Sequence, residues 1–82
     1  MYEFENRRKE LELIWKIFEF VRDNDDTYTD EEVADMVNNS DLTEKEKTTV
    51  RNFIAPYIPM CDLDNFYDDL VIYSDVVYES YT

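Results

Sequence analysis

The sequence predicts a small all-α domain of about four helices, packed around a long N-terminal helix. The 82 residues include no glycine and only two prolines, whereas the tight turns of β-rich folds usually need glycine or asparagine at positive φ. Apolar residues recur at helical spacing over most of the chain. With 44% hydrophobic and 16% aromatic residues, the chain can build a core, and its length predicts that residues 1–82 form one domain.

The first predicted helix covers residues 3–22. Its apolar positions form two adjacent stripes, which predicts a wide buried face. One stripe consists of Phe4, Leu11, Ile14, Trp15, Phe18 and Val21, and the other of Leu13, Ile17 and Phe20. We expect this helix to pack on more than one side and to be the central element of the fold.

Two capping boxes predict two short helices. In a capping box, a threonine before the helix and a glutamate three residues later satisfy each other's backbone N–H groups. The pairs are Thr29 with Glu32, and Thr43 with Glu46. The helix after Thr29 is predicted from Asp30 to about Asn38. The helix after Thr43 is predicted from about Glu44 to Ala55, before Pro56.

The last segment, Asp62 to Ser80, has two interpretations. Its β-branched residues favour a hairpin that turns at Ser74-Asp75. The helical count is better, because six residues fall on one face at about 100° per residue: Leu63, Phe66, Tyr67, Leu70, Val77 and Tyr81. We therefore predict a fourth helix, with the hairpin as the alternative.

The charge of the chain is one-sided. Residues 1–22 contain five acidic and five basic residues, whereas residues 23–82 contain sixteen acidic residues and only three basic ones, which accounts for the whole net charge of −13. Self-repulsion of this kind destabilises a compact fold. The acidic surface is therefore expected to serve a partner, and repulsion argues against direct binding to nucleic acid or to anionic membranes.

The residue inventory predicts that the protein is not an enzyme and holds no cofactor or metal. There is no histidine for nucleophile–base catalysis, no glycine for a phosphate loop, and only Cys61 as a thiol ligand for zinc. Side chains with oxygen ligands do occupy alternating positions at Asp23, Asp25, Thr27, Thr29 and Glu31. An EF-hand loop there would need glycine in place of Tyr28 and glutamate in place of Ala34, so the calcium pattern fails.

Residues 29–54 resemble a helix-turn-helix loosely. Polar residues that could face a DNA groove are Lys45, Lys47, Thr48, Thr49, Arg51 and Asn52. The turn between the helices lacks glycine, and Glu44 and Glu46 occupy the helix N-terminus from which DNA readers contact bases. A DNA-binding regulator is therefore kept as a third hypothesis.

An acidic stripe is predicted on the last helix. Asp64, Asp68, Asp75 and Glu79 would lie within about 60° of one another, over about 22 Å of helix. The rise within each i,i+4 pair is about 6 Å, close to the spacing of successive phosphates on one nucleic-acid strand. Further candidate partner-binding residues lie in the preceding acidic segment: Asp23, Asp25, Asp26, Asp30, Glu31 and Asp35.

Small size, strong negative charge, lack of glycine and high aromatic content together resemble the small acidic DNA-mimic inhibitors of phages and mobile elements. The group includes anti-CRISPR and anti-restriction proteins. Thirteen negative charges match those of about six or seven base pairs of duplex. The resemblance implies that carboxylates occupy the basic nucleic-acid-binding cleft of a host defence nuclease, with an anti-CRISPR role first and an anti-restriction role second.

The alternative function is a small adaptor that binds a host protein such as RNA polymerase through apolar and aromatic surface. Seven tyrosines support it, since tyrosine offers contact area and a hydroxyl at low entropy cost. A single cysteine and the lack of a signal-peptide pattern at the N-terminus predict a reducing compartment, the cytoplasm of a bacterial host cell. The sequence leaves the oligomeric state open.

Overall fold

A computed structural model describes residues 2–58 and 62–79, with side chains from Arg7 onward. The described chain forms four helices, which we number in order: α1 (Tyr2–Asp23), α2 (Asp30–Asn38), α3 (Glu44–Ile54) and α4 (Leu63–Glu79). The prediction of an all-α fold with about four helices is confirmed. The hairpin alternative for the last segment is wrong, because burial of one helical face outweighs the strand preference of its β-branched residues.

Both predicted capping boxes are formed. The Glu32 N–H donates to Thr29 Oγ1 at 3.2 Å, and the Glu46 N–H donates to Thr43 Oγ1 at 3.3 Å. The glutamate side chains in turn accept from the backbone N–H of the capping threonines. These local bonds explain why α2 and α3 begin where the sequence predicts.

The core surrounds α1, which packs against each of the other three helices. Its wide apolar face is confirmed: Leu11, Leu13, Ile14, Ile17, Phe18 and Val21 are buried. Trp15 and Phe20, predicted in the same face, are only partly buried at its edge. The predicted core positions Phe4 and Tyr81, as well as Cys61, lie outside the described side chains.

Helix α4 runs antiparallel to α1. Phe18 packs edge-on against Phe66 near the start of α4, with ring centroids 5.3 Å apart. The earlier residue Trp15 reaches Ser74, two turns further along α4. The start of α4 therefore lies beside the end of α1, and the long outer face of α4 forms one side of the molecule.

Candidate partner-binding surface

One face of α4 is buried, and its contacts determine which face of the helix is exposed to solvent. Phe66, Leu70 and Val77 are almost completely inaccessible to solvent, and they lie within about 40° of one another around the helix axis. Phe66 stacks on the ring of Tyr57 at 5.2 Å and packs against Phe53 of α3 at 6.4 Å. Contacts to both α1 and α3 leave the opposite face of α4 to solvent.

The acidic stripe lies on this outer face. Asp64, Asp68, Asp75 and Glu79 are all exposed, as the helical count predicts. Every basic residue of the sequence lies at or before Arg51, so α4 itself carries no compensating charge. We use the name acidic stripe for these four residues. The structure brings them together on one side of one helix.

Local helix energetics favour only part of the stripe. Asp64 lies in the first turn of α4, where a carboxylate interacts favourably with the helix dipole. Glu79 lies in the last turn and Asp75 just before it, where negative charge is unfavourable and no basic residue is present. Asp68 adds like-charge repulsion four residues after Asp64. By these rules Asp68 and Asp75 are unfavourable for the helix that holds them.

The other six predicted residues lie elsewhere, although all are exposed. Asp23, Asp25 and Asp26 lie at the end of α1 and in the loop after it, and Asp23 accepts from Arg22 Nε at 3.2 Å. The remaining three, Asp30, Glu31 and Asp35, lie on α2. Helix α2 packs on α1 and α3 and not extensively on α4, so the ten residues are divided between two regions.

Two of the α2 residues have a local role. Asp30 and Glu31 lie in the first turn of α2, where negative charge stabilises the helix. Their presence therefore needs no partner to explain it. Within the acidic stripe, the same reasoning explains Asp64, but it does not explain Asp68 or Asp75.

Exposed large hydrophobic residues lie beside the acidic stripe on the same helix. Among the described side chains, the large hydrophobic residues that are exposed all lie on α4: Ile72 at 61%, Val76 at 54%, Tyr67 at 49% and Tyr78 at 44%. The prediction that Tyr67 lies on the buried face is wrong. Ile72 and Val76 lie off the apolar stripe in the helical count, and this is the signal available in the sequence.

Tyr67 is exposed but held in place from behind. Its ring lies 6.1 Å from Trp15 in an edge-on arrangement and 5.6 Å from Phe18 in a tilted one. Because α1 supports one side of the ring, a partner that contacts the open side immobilises little additional side-chain freedom. Tyr67 is thus a fixed aromatic contact at the edge of the acidic stripe.

Two of the three basic residues of α3, Lys47 and Arg51, have hydrogen-bond partners within the fold. Lys47 Nζ donates to the backbone carbonyl of Asn38 at 3.0 Å, and the Lys47 side chain is only 13% exposed. The Arg51 guanidinium donates to the side chain of the same Asn38. Thr48 and Thr49 donate their hydroxyls to carbonyls one turn earlier in α3. Four of the six residues proposed to face a DNA groove therefore have intramolecular partners.

A buried carboxylate lies where α1, α3 and α4 meet. Glu10 is 7% exposed and accepts a hydrogen bond from the Tyr73 side chain. Burial raises the pKa of Glu10, nearby Glu46 raises it further, and Arg7 and the Tyr73 hydroxyl oppose the increase. Burial and the Glu10 charge likewise raise the pKa of Tyr73. No pattern in the sequence indicates this cluster, because only the packing of three helices creates it.

Asp69 differs from the acidic stripe although it also lies on α4. It accepts a hydrogen bond from the Tyr57 hydroxyl, and this bond raises the pKa of Tyr57 to about 12. Asp69 lies about 80° around the helix from Glu79 and further from the rest of the stripe. Its carboxylate has a structural partner in the segment after α3.

The described chain also has a surface cleft, but it has no cluster of metal ligands. A cleft of about 540 Å³ between α1 and the α2–α3 loop is lined by apolar Leu13, Met36 and Leu42 and by Lys9 and Lys16. Within residues 2–58 and 62–79, no three acidic or thiol side chains converge to hold a metal ion. In the same residues, no helix has the length and apolar character needed to span a bilayer.

No family model matches the chain, no curated protein sequence is significantly similar to it, and no solved structure matches it. What the acidic stripe can bind must therefore follow from its own charge and chemistry.

Proposed function

We propose that the protein is an inhibitor that acts as an acidic mimic of nucleic acid. Its acidic stripe would occupy the basic DNA- or RNA-binding cleft of a host defence nuclease complex. Carboxylates then pair with the lysine and arginine side chains that otherwise hold phosphates, and nucleic acid is excluded.

The observation that carries this proposal is the acidic stripe itself. Four exposed carboxylates follow one side of α4 over about 22 Å, with no basic residue on that helix. Two of them, Asp68 and Asp75, are unfavourable for the helix that holds them. Places where a sequence departs from local stability rules are commonly functional, and here the departure presents negative charge to solvent.

The charge of the whole molecule supports the same mechanism. A net charge of −13 over the 38 Å long axis of the molecule is about one charge per 3 Å, more than half the linear charge density of duplex DNA, which has about one charge per 1.7 Å of axis. Such a field steers the protein towards a basic cleft and speeds association. Association should slow as salt screens the field.

The class of target comes from the resemblance in size and composition. CRISPR effector complexes hold nucleic acid in positively charged channels, and they are the first candidates. Restriction enzymes, which also bind the phosphate backbone of DNA, are the second.

A second candidate function is an adaptor that docks on a host protein such as RNA polymerase. The exposed Tyr67, Ile72, Val76 and Tyr78 favour it, because clustered apolar surface marks protein–protein contacts. In an adaptor, binding would depend on these four residues and would be independent of the stripe charges.

The test is capture of partners from a bacterial lysate by the immobilised full chain. The variant Asp68→Lys/Asp75→Lys reverses two stripe charges. The control Glu19→Lys/Asp41→Lys changes the net charge equally at exposed positions outside the candidate site. We expect the control to capture a nucleic-acid-binding protein that wild type also captures, and the stripe variant to lose it. Equal capture by all three proteins would refute the stripe as the binding face.

A further inference from the structure

We propose that the outer face of α4 binds a groove built for single-stranded nucleic acid, and that it replaces the bases of the strand as well as its phosphates. This inference rests on the proposed function and narrows its target. The partner would combine a row of lysine and arginine with exposed aromatic side chains. Charge complementarity to the acidic stripe selects the basic row, and the apolar edges of the stripe select the aromatic side chains.

The outer face of α4 presents charged and apolar groups in an arrangement similar to that of single-stranded nucleic acid. The acidic stripe occupies the middle of the outer face. Tyr67 and Tyr78 lie along one edge, about 16 Å apart along the axis, and Ile72 and Val76 lie along the other edge. Charged groups in the middle and apolar groups beside them reproduce the two chemistries that a single strand presents, phosphates and unstacked bases.

A duplex-binding surface fits this face less well. In a duplex the bases are stacked inside, and proteins contact mostly phosphate and sugar at the surface through basic and polar groups. Exposed tyrosine, isoleucine and valine would find no apolar partner there, and they would desolvate the partner's basic and polar groups without replacing their hydrogen bonds to water. Grooves for single strands instead line a basic track with aromatic side chains, on which bases stack.

The preorganised ring of Tyr67 adds to this fit. Trp15 and Phe18 hold the ring from behind while its other side faces solvent. An aromatic side chain of the partner can therefore stack on Tyr67 as it would stack on a base. The spacing of about 6 Å within Asp64–Asp68 and within Asp75–Glu79 suits basic residues placed for successive phosphates of one strand.

A second copy of the chain and a lipid surface do not suit this face. Symmetric packing of two α4 helices would bring two acidic stripes together, with no basic residue on α4 to offset them. Anionic headgroups would repel the same carboxylates. A basic protein groove is the occupant that satisfies both the charged and the apolar parts of the surface.

The first test is competitive elution of the captured partner. The complex on the immobilised full chain is challenged, at constant ionic strength, with an oligothymidine of about 20 nucleotides or a duplex of about 20 base pairs, at equal phosphate concentration. We expect the single strand to release the partner at a concentration about tenfold lower. Equal or better release by the duplex would overturn this inference and leave the proposed function standing. Release by neither would refute the proposed function itself.

The second test separates charge from apolar contact. Tyr67→Ser and Ile72→Ser/Val76→Ser keep every charge, and Tyr67→Phe is the matched control that keeps the ring. We expect each serine variant to raise the Kd for the captured partner about tenfold, at low and at high salt, and Tyr67→Phe to bind like wild type. Thermal unfolding verifies that each variant is folded. If Tyr67→Ser is unstable, the Ile72→Ser/Val76→Ser variant, which changes exposed positions, still provides the test.

The inference fails if the Ile72→Ser/Val76→Ser variant binds with wild-type affinity at every salt concentration. It also fails if the chain dimerises in solution and the same variant abolishes the dimer, because α4 would then be a contact between copies. Loss of binding by Asp68→Lys/Asp75→Lys tests the proposed function separately.

Discussion

The indole Nε1 of Trp15 donates a hydrogen bond to Ser74 Oγ at 3.0 Å, and this bond joins α1 to α4. Ser74 Oγ in turn donates to the Leu70 carbonyl at 2.9 Å, so the acceptor is fixed within α4. The bond sets the rotation of α4 against α1. The acidic stripe faces solvent because this contact and the buried residues of α4 all lie on the other side.

Replacing Ser74 with alanine should destabilise the protein by about 1–2 kcal/mol, because the partly buried Trp15 N–H loses its acceptor. Urea denaturation measures the loss. The fluorescence of Trp15, which is the only tryptophan, reports the local change. The Ser74→Thr variant keeps the hydroxyl and should restore most of the stability. A Ser74→Ala variant with wild-type stability and emission would show that this bond does not hold α4 against α1.

Reversing stripe charges should stabilise the fold while it removes binding. In Asp68→Lys/Asp75→Lys, lysine is the better helix former, Asp64 gains an i,i+4 partner, and the end of α4 loses unfavourable negative charge. Together these changes should add about 1 kcal/mol and raise the Tm by about 4–8 °C. Calorimetry measures the change. A lower Tm would mean that the stripe carboxylates support the fold and need no partner to explain them.

Local chemistry explains how much of the fold the sequence predicts. The capping boxes at Thr29 and Thr43 depend on residues three apart, so the starts of α2 and α3 could be predicted closely. The acidic stripe also depends only on helical spacing once α4 is recognised as a helix. Its exposure followed from the position of the apolar stripe on the opposite face.

Contacts between helices account for what the sequence did not predict. The burial of Glu10 beside Tyr73 depends on how α1 and α4 pack, and the two residues are far apart in sequence. Asn38 accepts hydrogen bonds from Lys47 and Arg51 because α3 packs back along α2. Tyr67 lies at the edge of the apolar stripe, about 60° around the helix from Leu70, and it remains exposed although Trp15 and Phe18 contact its ring.

Glu10→Gln should stabilise the protein at neutral pH. Because the pKa of Glu10 in the folded state lies above its ordinary value of 4.5, ionisation of Glu10 disfavours the fold. This destabilisation is complete above the folded-state pKa and disappears as the pH falls below 4.5. The advantage of glutamine should therefore decline over the same range. Urea denaturation from pH 4 to pH 7 tests this, with the exposed Glu19→Gln as the control.

Two results for Glu10→Gln would contradict this prediction. A Glu10→Gln variant that is less stable than wild type at pH 7 would show that the charged form is favoured by Arg7 and Tyr73 more than burial opposes it. An advantage that is constant with pH would show that the pKa of Glu10 is the same in the folded and unfolded states, contrary to the upward shift.

Lys47→Ala and Arg51→Ala should each lower stability by about 1 kcal/mol, since each removes a hydrogen bond that holds Asn38 at the end of α2. Thermal unfolding measures this effect.

In a gel-shift assay on bulk duplex DNA, wild type should cause no retardation. Retardation by wild type that is lost in Lys47→Ala would favour the helix-turn-helix hypothesis instead.

The most direct measurement is fluorescence anisotropy of a labelled oligonucleotide bound to the purified partner, titrated with the full chain. We predict that wild type and the Glu19→Lys/Asp41→Lys control return the anisotropy to that of free oligonucleotide. The Asp68→Lys/Asp75→Lys variant should leave it unchanged. A rise in anisotropy with wild type would indicate a ternary complex in which nucleic acid and the protein bind together, and it would contradict mimicry of nucleic acid by the acidic stripe.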